Sequence, residues 1–198
     1  MPTRAKILEG AAKVIARSGI RSATVQDMVK GAGVSRRTFY QYFRDKDDVV
    51  LSLYQLNTAN LAMEIEAAVR AADSNAERLR APVDAYLDFQ QRGGRLLGVL
   101  QSEAMDPESR LWPHRKQVME SLVLLTRRAV ASASGPLLDP LVYWTLFLGL
   151  EDAVLHLRRG GPLAPDDRAR MARVFHPMFA SVMASAVANP ERFAVDPE

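Results

Sequence analysis

The chain has 198 residues, of which 48% are hydrophobic, so it can bury a substantial core and need not be disordered. It contains no cysteine, which excludes disulfides, thiolate zinc sites and cysteine nucleophiles and fits a reducing cytoplasm. The net charge of +3 is unevenly spread: residues 1–46 carry ten Lys or Arg against three acids, a net of +7, and the remainder carries −4. A basic head on a mildly acidic body is typical of a nucleic-acid-binding protein.

The first predicted helix covers residues 3–18. Its apolar side chains recur at helical spacing and should pack beneath the elements that follow. Gly19 suits the position just past the helix end, where a left-handed backbone is common.

The stretch TVQDMVKGAGVSRRTFYQYFRDK, residues 24–46, predicts two short helices joined by a glycine turn. Thr24 followed three residues later by an aspartate is a capping pattern, so a helix should begin just after Thr24. Gly31 and Gly33 are expected to break that helix, and Gly33 can adopt the positive φ that a tight turn requires. Ser35 can cap the next helix.

That second helix, expected from Arg36 to Phe43, combines an aromatic inner face with a polar outer face. Phe39 and Phe43 are four residues apart and should face inward together. Two arginines, one threonine and two tyrosines occupy the rest of the helix and suit a major groove, because Arg can pair with guanine and Tyr hydroxyls can donate to phosphate. Lys46 lies near the start of the following helix, where a cation would attract phosphate.

The string T-V-x-D-x-V-x-x-A-G-V-S-x-x-T-F-Y-x-Y-F-x-x-K resembles the DNA-binding motif of the TetR (tetracycline repressor) family of bacterial transcription regulators. The resemblance is specific over about the first 50 residues, and beyond them only the length and helical pattern agree. It implies an all-α protein with a three-helix helix-turn-helix head at residues 1–46 and a six-helix ligand-binding and dimerisation body at residues 47–198. It also implies contacts with double-stranded DNA, and it leaves open which of the two arginines contacts the bases. The residues implied in these contacts are Thr24, Ser35, Arg36, Arg37, Thr38, Tyr40, Tyr42 and Lys46.

Helical spacing continues through the body, without strand-like alternation. The first body helix is long, ~37 Å at 1.5 Å per residue, and could act as a lever between head and body. Pro82 is expected to kink or begin the second body helix, and Pro107 to open the fourth. The predicted body helices are residues 47–72, 77–92, 95–105, 107–133, 138–158 and 166–188, with breaks at Gly93-Gly94, Gly135-Pro136 and Gly160-Gly161-Pro162, and a frayed tail after Asn189-Pro190.

The last two predicted helices are apolar over most of their surface. One side of each can face the body, and the other requires a partner. The family resemblance implies that they pair with their copies in a homodimer as a four-helix bundle, although internal core packing would fit the same pattern. The residues expected at the dimer interface are Leu141, Trp144, Leu148, Val174, Met178 and Val182.

Aromatic and methionine side chains in the body could line a cavity for a small-molecule effector. Core packing is the more common role for each of these residue types. The candidate ligand-binding residues are Met63, Phe89, Glu103, Met105, Trp112, Tyr143 and Phe147, with Gln101 and His114 as further polar anchors.

The three histidines are scattered and no metal-binding, phosphate-binding or nucleophile motif occurs, so neither metal, cofactor nor enzymatic activity is expected. No apolar run approaches the ~20 residues of a membrane span, so neither a signal peptide nor a membrane partner is expected. The leading interpretation is a cytoplasmic homodimeric regulator, a repressor or alternatively an activator, that leaves a palindromic operator when it binds an apolar or aromatic molecule. The alternatives are an all-helical enzyme with a basic docking head and a protein-interaction module.

Overall fold

The computed structural model describes residues 2–133, 138–158, 161–189 and Phe193. Over these ranges the chain folds into nine α-helices and contains no strand, so the all-α prediction is confirmed. The helices are α1 (Thr3–Ser22), α2 (Val25–Ala32), α3 (Arg36–Tyr42), α4 (Lys46–Ala71), α5 (Asn75–Arg92), α6 (Arg95–Ala104), α7 (Trp112–Ser132), α8 (Pro140–Arg158) and α9 (Pro165–Ala188).

The chain forms two compact units. The first contains α1 to α3, the beginning of α4, and α6; the second contains the rest of α4 with α5, most of α7, α8 and α9. The predicted functional division into residues 1–46 and 47–198 stays a prediction. The units are Met1–Ala59 with Gly93–Arg115 and Gly160–Pro162, and Asn60–Arg92 with Lys116–Arg159 and Leu163–Glu198.

In the first unit, α1 and α2 approach closely through two glycines. A Cβ atom on Gly10 would lie within 2.7 Å of the backbone of Gly31 and Ala32, so only glycine allows this approach. The expectation that Gly31 breaks the helix is therefore wrong: Gly31 stays inside α2 and makes room for α1. Gly33, with a φ of 63°, ends α2 as expected.

The head core consists of apolar side chains from three consecutive helices. Ile7 and Ile15 on α1, Met28 on α2 and Phe39 on α3 are completely buried. Gly19, with a φ of 79°, kinks α1, so the predicted helix of residues 3–18 ends as expected and a short continuation follows. The head therefore keeps the packing that its apolar periodicity predicts.

In the second unit, α5 and α9 are joined by an ion-pair cluster as well as by apolar packing. Arg168 on α9 donates to Asp84 at 3.0 Å and to Asp88 at 2.8 Å, both on α5. His176, two turns further along α9, lies 3.3 Å from the Asp84 carboxylate. These contacts fix the register in which α9 lies along α5.

The starts of α7 and α5 differ from the predictions. α7 begins at Trp112 rather than at Pro107, because the preceding residues form hydrogen-bonded turns, such as that from the Ser109 N–H to the Asp106 carbonyl at 3.0 Å. α5 begins at Asn75, so Pro82 lies inside it rather than at its start. The breaks expected at Gly135-Pro136 and Gly160, and the fraying after Pro190, lie outside the described residues.

Among the described residues, α9 is long and apolar enough to cross a bilayer by length and composition alone. Only 28% of that stretch is buried in the chain. A helix with its inner side in a core and its outer side against another protein has the same composition, so this property alone does not indicate a membrane.

Candidate DNA interface and effector cavity

α3 is held by its aromatic inner face and leaves its polar face outward. Phe39 and Phe43 are buried, with ring centroids 5.8 Å apart. Tyr40 and Tyr42 are 52% and 45% exposed, although they lie in the same segment as the two buried rings. The phenol hydroxyls are thus available to a partner outside the chain.

The two helix starts that flank the turn are capped as the sequence predicts. The Asp27 N–H donates to the Thr24 hydroxyl oxygen at 3.2 Å, and the Thr24 N–H donates back to the Asp27 carboxylate at 3.2 Å. The Thr24 hydroxyl also donates to that carboxylate, which lowers the pKa of Asp27. At the next helix the Thr38 N–H donates to the Ser35 hydroxyl at 3.0 Å. Both caps stiffen the turn that orients α3.

The cations on α3 and at the start of α4 differ in their surroundings. Arg36 and Arg37 are exposed, and neither makes a hydrogen bond or ion pair with any residue that the structure describes. Lys46, by contrast, is half-buried and donates from Nζ to the Ile20 carbonyl at 2.8 Å. The two arginines are therefore free to meet an external anion, whereas Lys46 also holds α1 to the start of α4.

An ion-pair cluster beside α3 was not foreseen from the sequence. Arg110, in the segment before α7, lies 3.3 Å from Asp45 and 3.5 Å from Asp47. Arg44 donates to Asp48 from its backbone N–H and its guanidinium, and these bonds lower the pKa of Asp48. Helical periodicity gives no signal for a contact between residues 65 positions apart.

The residues predicted at a dimer interface lie largely on the surface of the second unit. Leu141 is 70% exposed, and Leu148, Val174 and Met178 are each at least 40% exposed. Trp144 and Val182 are half-buried. Large apolar side chains exposed on two successive helices are unfavourable in water and are typical of a protein–protein interface.

The second unit contains a narrow apolar cavity of about 20 Å³, much smaller than a ligand. Two buried hydroxyls, those of Thr126 and Tyr143, interrupt its apolar lining. The Thr126 hydroxyl has no hydrogen-bond partner among the described residues, whereas the Tyr143 phenol lies close to the backbone of Leu138. Burial raises the pKa of the Tyr143 phenol. The cavity is lined by Leu79, Pro82, Val83, Thr126, Tyr143, Leu146, Phe147, Leu150, Phe175 and Phe179.

Only two of the seven candidate ligand residues, Tyr143 and Phe147, line this cavity. Phe89 packs against the same apolar core, and Met63 is 60% exposed. The other three belong to the first unit: Glu103, Met105 and Trp112. Sequence reasoning missed Thr126, since a single threonine on an amphipathic helix gives no sign that it faces a cavity.

Comparison with known proteins gives the same assignment for the head. The family model for "Bacterial regulatory proteins, tetR family" matches residues 7–53. Two similar curated proteins are the HTH-type transcriptional activator FasR of Mycolicibacterium smegmatis, 33% identical over 48% of this chain and 44% of its own, and the Fatty acid metabolism regulator protein of Bacillus subtilis, 26% identical over 52% and 53%. The chain thus spans about half the length of these two regulators.

Solved structures extend the likeness to the whole fold. The fatty acid degradation regulator FadR from Bacillus halodurans superimposes with a TM-score of 0.73 at 22% identity, covering 90% of this chain and 95% of its own. FadR from Bacillus subtilis, solved in complex with stearoyl-CoA, gives a TM-score of 0.73 at 19% identity, with coverage of 89% and 97%. At these identities the likeness establishes the fold alone.

Proposed function

Because the chain belongs to the TetR family of bacterial regulatory proteins, we propose that it is a cytoplasmic homodimeric repressor that releases a palindromic operator when a small apolar or aromatic molecule binds. The observation that carries this proposal is the arrangement of α3, whose two buried phenylalanines leave a face of arginines, hydroxyls and phenols exposed. A helix with that face fits a major groove of B-form DNA.

The side chains on this face have different proposed roles, which follow from their hydrogen-bonding groups. Arg36 and Arg37 have unengaged guanidinium groups that can pair bidentately with guanine, so one or both read bases. Tyr40, Tyr42 and Lys46 carry donors suited to phosphate oxygens, which position the head without reading sequence. The other proposed contacts come from the capping hydroxyls of Thr24 and Ser35 and from the Thr38 hydroxyl, which shares a hydrogen bond with that of Ser35. Each of the three keeps an acceptor or donor free.

The exposed apolar faces of α8 and α9 support self-association. Four large side chains there are at least 40% exposed, and a second copy related by two-fold symmetry would bury each of them twice. A two-fold dimer also carries two copies of α3, and helix-turn-helix dimers read half-sites about 34 Å, or one helical turn, apart.

The effector is proposed to bind in the cavity beside Tyr143 and Phe147. Its lining is almost entirely apolar, and the unpartnered Thr126 hydroxyl offers one hydrogen-bonding point to a ligand. Because the cavity now measures only about 20 Å³, binding must push helices apart, which is how a ligand could favour one of two arrangements. The fatty-acid names of the relatives support an acyl compound as the effector class.

The proposal is tested by gel shift and footprinting with the DNA upstream of the protein's own gene, at about 150 mM salt with excess nonspecific competitor. Retention of a dimer with two protected half-sites one helical turn apart is the expected result. Failure to retain any DNA above the competitor level, by a protein shown to be folded, would refute the DNA-binding role and leave an interaction module as the alternative.

A further inference from the structure

A second opening in the second unit has a different chemical character from the apolar cavity. It is a cleft of about 440 Å³ lined by the end of α4, the start of α5 and the second half of α7, and it shares no lining residue with the cavity. Its volume falls within the ~300–1,000 Å³ of small-molecule sites. The lining consists of Ile65, Glu66, Val69, Arg70, Arg78, Leu125, Arg128, Ala129 and Ser132.

We infer that this opening, the arginine cleft, binds an amphipathic anion: a molecule with an aliphatic portion and a carboxylate or phosphate group. Three arginines against one glutamate give the lining a formal charge of +2. The remaining wall is chiefly apolar, so a hydrophilic anion alone would leave it uncovered. A ligand that combines both characters satisfies both parts of the lining.

Arg78 is the fixed member of the three arginines. Its guanidinium donates to the carbonyl of Ser132 at 3.2 Å, to the Asn75 side chain at 3.4 Å and to the carbonyl of Ala72 at 3.5 Å. These bonds hold the planar group at the junction of α4, α5 and α7. The positive charge at this point is therefore preorganised, so an anion bound there need not order it.

Arg70 and Arg128 are the available members. Both are exposed, and neither makes a hydrogen bond or ion pair within the part of the chain that the structure describes. Glu66 lies one turn before Arg70 and would be its natural partner, yet no bond joins them. Elsewhere in this unit Arg92 pairs with Glu64, and Arg168 pairs with two aspartates.

The favourable interaction of an arginine with a helix dipole explains only part of the arginine cleft. Arg70 occupies the last turn of α4, where a cation is favourable in any protein. That effect does not account for an apolar wall beside the same charges. Ile65 and Ala129 are almost fully buried at the base of the cleft, and Val69 and Leu125 are half-buried along it.

The inference is tested by calorimetric titration of the full chain, without DNA, with decanoate, decanoyl-CoA, CoA and decanol. Decanoate and decanoyl-CoA should bind, decanol should bind much more weakly, and the affinity of the two anions should fall as salt is raised. Comparison of decanoate with CoA separates a carboxylate source of the anion from a phosphate source. Equal affinity for decanoate, decanoyl-CoA and decanol, or binding of none of the probes, overturns the inference.

Substitutions then assign binding to the cleft. The double variant Arg70→Gln/Arg128→Gln should weaken binding of the tighter anion by about tenfold or more, since two charge-assisted contacts are lost. Glu66→Gln should strengthen it by about twofold to fivefold, because a like charge is removed. Arg80→Gln, an exposed arginine on α5 outside the cleft, is the matched control and should change nothing.

Two results in this series would count against the cleft: Arg80→Gln as damaging as the double variant, or Glu66→Gln without effect or weakening. Arg78 is left unchanged because its bonds to backbone carbonyls stabilise the fold, and unfolding curves check that each variant is native. The role of a bound anion as effector rests on the proposed function, but its binding does not. If the chain retains DNA but binds neither decanoate nor decanoyl-CoA, only the arginine-cleft inference is refuted. If it binds decanoate or decanoyl-CoA but retains no DNA, only the proposed regulator function is refuted.

Discussion

Lys46 donates a hydrogen bond from Nζ to the carbonyl oxygen of Ile20 at 2.8 Å, joining the start of α4 to the end of α1 across 26 positions of sequence. The carbonyl belongs to the short continuation of α1 that follows the kink at Gly19. Lys46 therefore has a structural role that its sequence position, which suggests a phosphate contact, does not reveal. An ammonium group has three N–H donors, so one bond to a carbonyl leaves two for phosphate.

Lys46→Ala should consequently affect two properties at once. Loss of the charge-assisted bond to Ile20 should lower the free energy of unfolding by about 1 kcal/mol, and loss of the cation should weaken binding to all DNA sequences alike. Chemical denaturation and gel shifts at several salt concentrations measure the two effects. Lys30→Ala, an exposed lysine on α2, should leave unfolding unchanged. An unaltered unfolding curve for Lys46→Ala would show that the bond contributes nothing to stability.

Arg36→Ala should relax base preference rather than abolish DNA binding. Loss of a bidentate contact with guanine is expected to cost ~1–3 kcal/mol at one base pair of each half-site, with little change on nonspecific DNA. Arg37→Ala, measured in parallel, decides which arginine reads the base. Tyr42→Phe is the contrasting variant, since removal of a phosphate donor should weaken all sequences to the same degree. If both arginine variants keep the wild-type preference, α3 does not read the operator through them.

The head was largely predictable from sequence because its structure is encoded locally. The caps at Thr24 and Ser35, the positive φ at Gly33 and the inward pair Phe39 and Phe43 each depend on residues within four positions of one another. Gly31 was misjudged because its reason is a contact with another helix. Local patterns cannot show that α1 passes so closely.

The cavity was poorly predicted because its lining comes from helices that are distant in sequence. Periodicity identifies the apolar face of a helix, but not which other helices it meets, and several faces in this chain are apolar. Of the candidate residues, Tyr143 and Phe147 both line the cavity because they lie one turn apart on α8. The cavity-lining residues of α5, α7 and α9 could be found only from the tertiary packing. The same is true of the ion pair between Arg110 and Asp45.

The stability of the head should depend on pH through Asp48. The hydrogen bonds from Arg44 lower the pKa of this carboxyl below its ordinary value of 3.8, so its ionised form favours the folded state. That contribution is fully present above the unfolded pKa and is lost as pH falls through the lower folded pKa. Denaturation curves between pH 6 and pH 2 should therefore converge for wild type and Asp48→Asn at the acid end. A constant difference across this range would contradict the assignment.

Self-association should depend on the outer faces of α8 and α9. Leu148→Glu/Met178→Glu should weaken the dimer by at least about 2 kcal/mol, because two-fold symmetry would bury every introduced charge twice. Sedimentation velocity should then show monomer, and affinity for a palindrome should fall towards that for a half-site. Leu124→Glu, on α7 at 47% exposure, is the matched control and should remain dimeric. Dimerisation of the double variant at wild-type strength would place the interface elsewhere.

Thr126→Val should stabilise the free protein while weakening its response to an effector. The Thr126 hydroxyl is buried at the apolar cavity without a hydrogen-bond partner among the described residues, and valine replaces it with a methyl group of similar volume. Removing an unsatisfied buried hydroxyl should raise the free energy of unfolding by up to about 1 kcal/mol. The variant should keep wild-type DNA affinity but need more of an effector for release, provided that the effector hydrogen-bonds at this point. Thr145→Val, whose exposed hydroxyl donates to the Leu141 carbonyl at 2.8 Å, is the control and should not gain stability. A loss of stability in Thr126→Val would mean that the hydroxyl is satisfied in solution, which would remove the polar anchor from the proposed effector cavity.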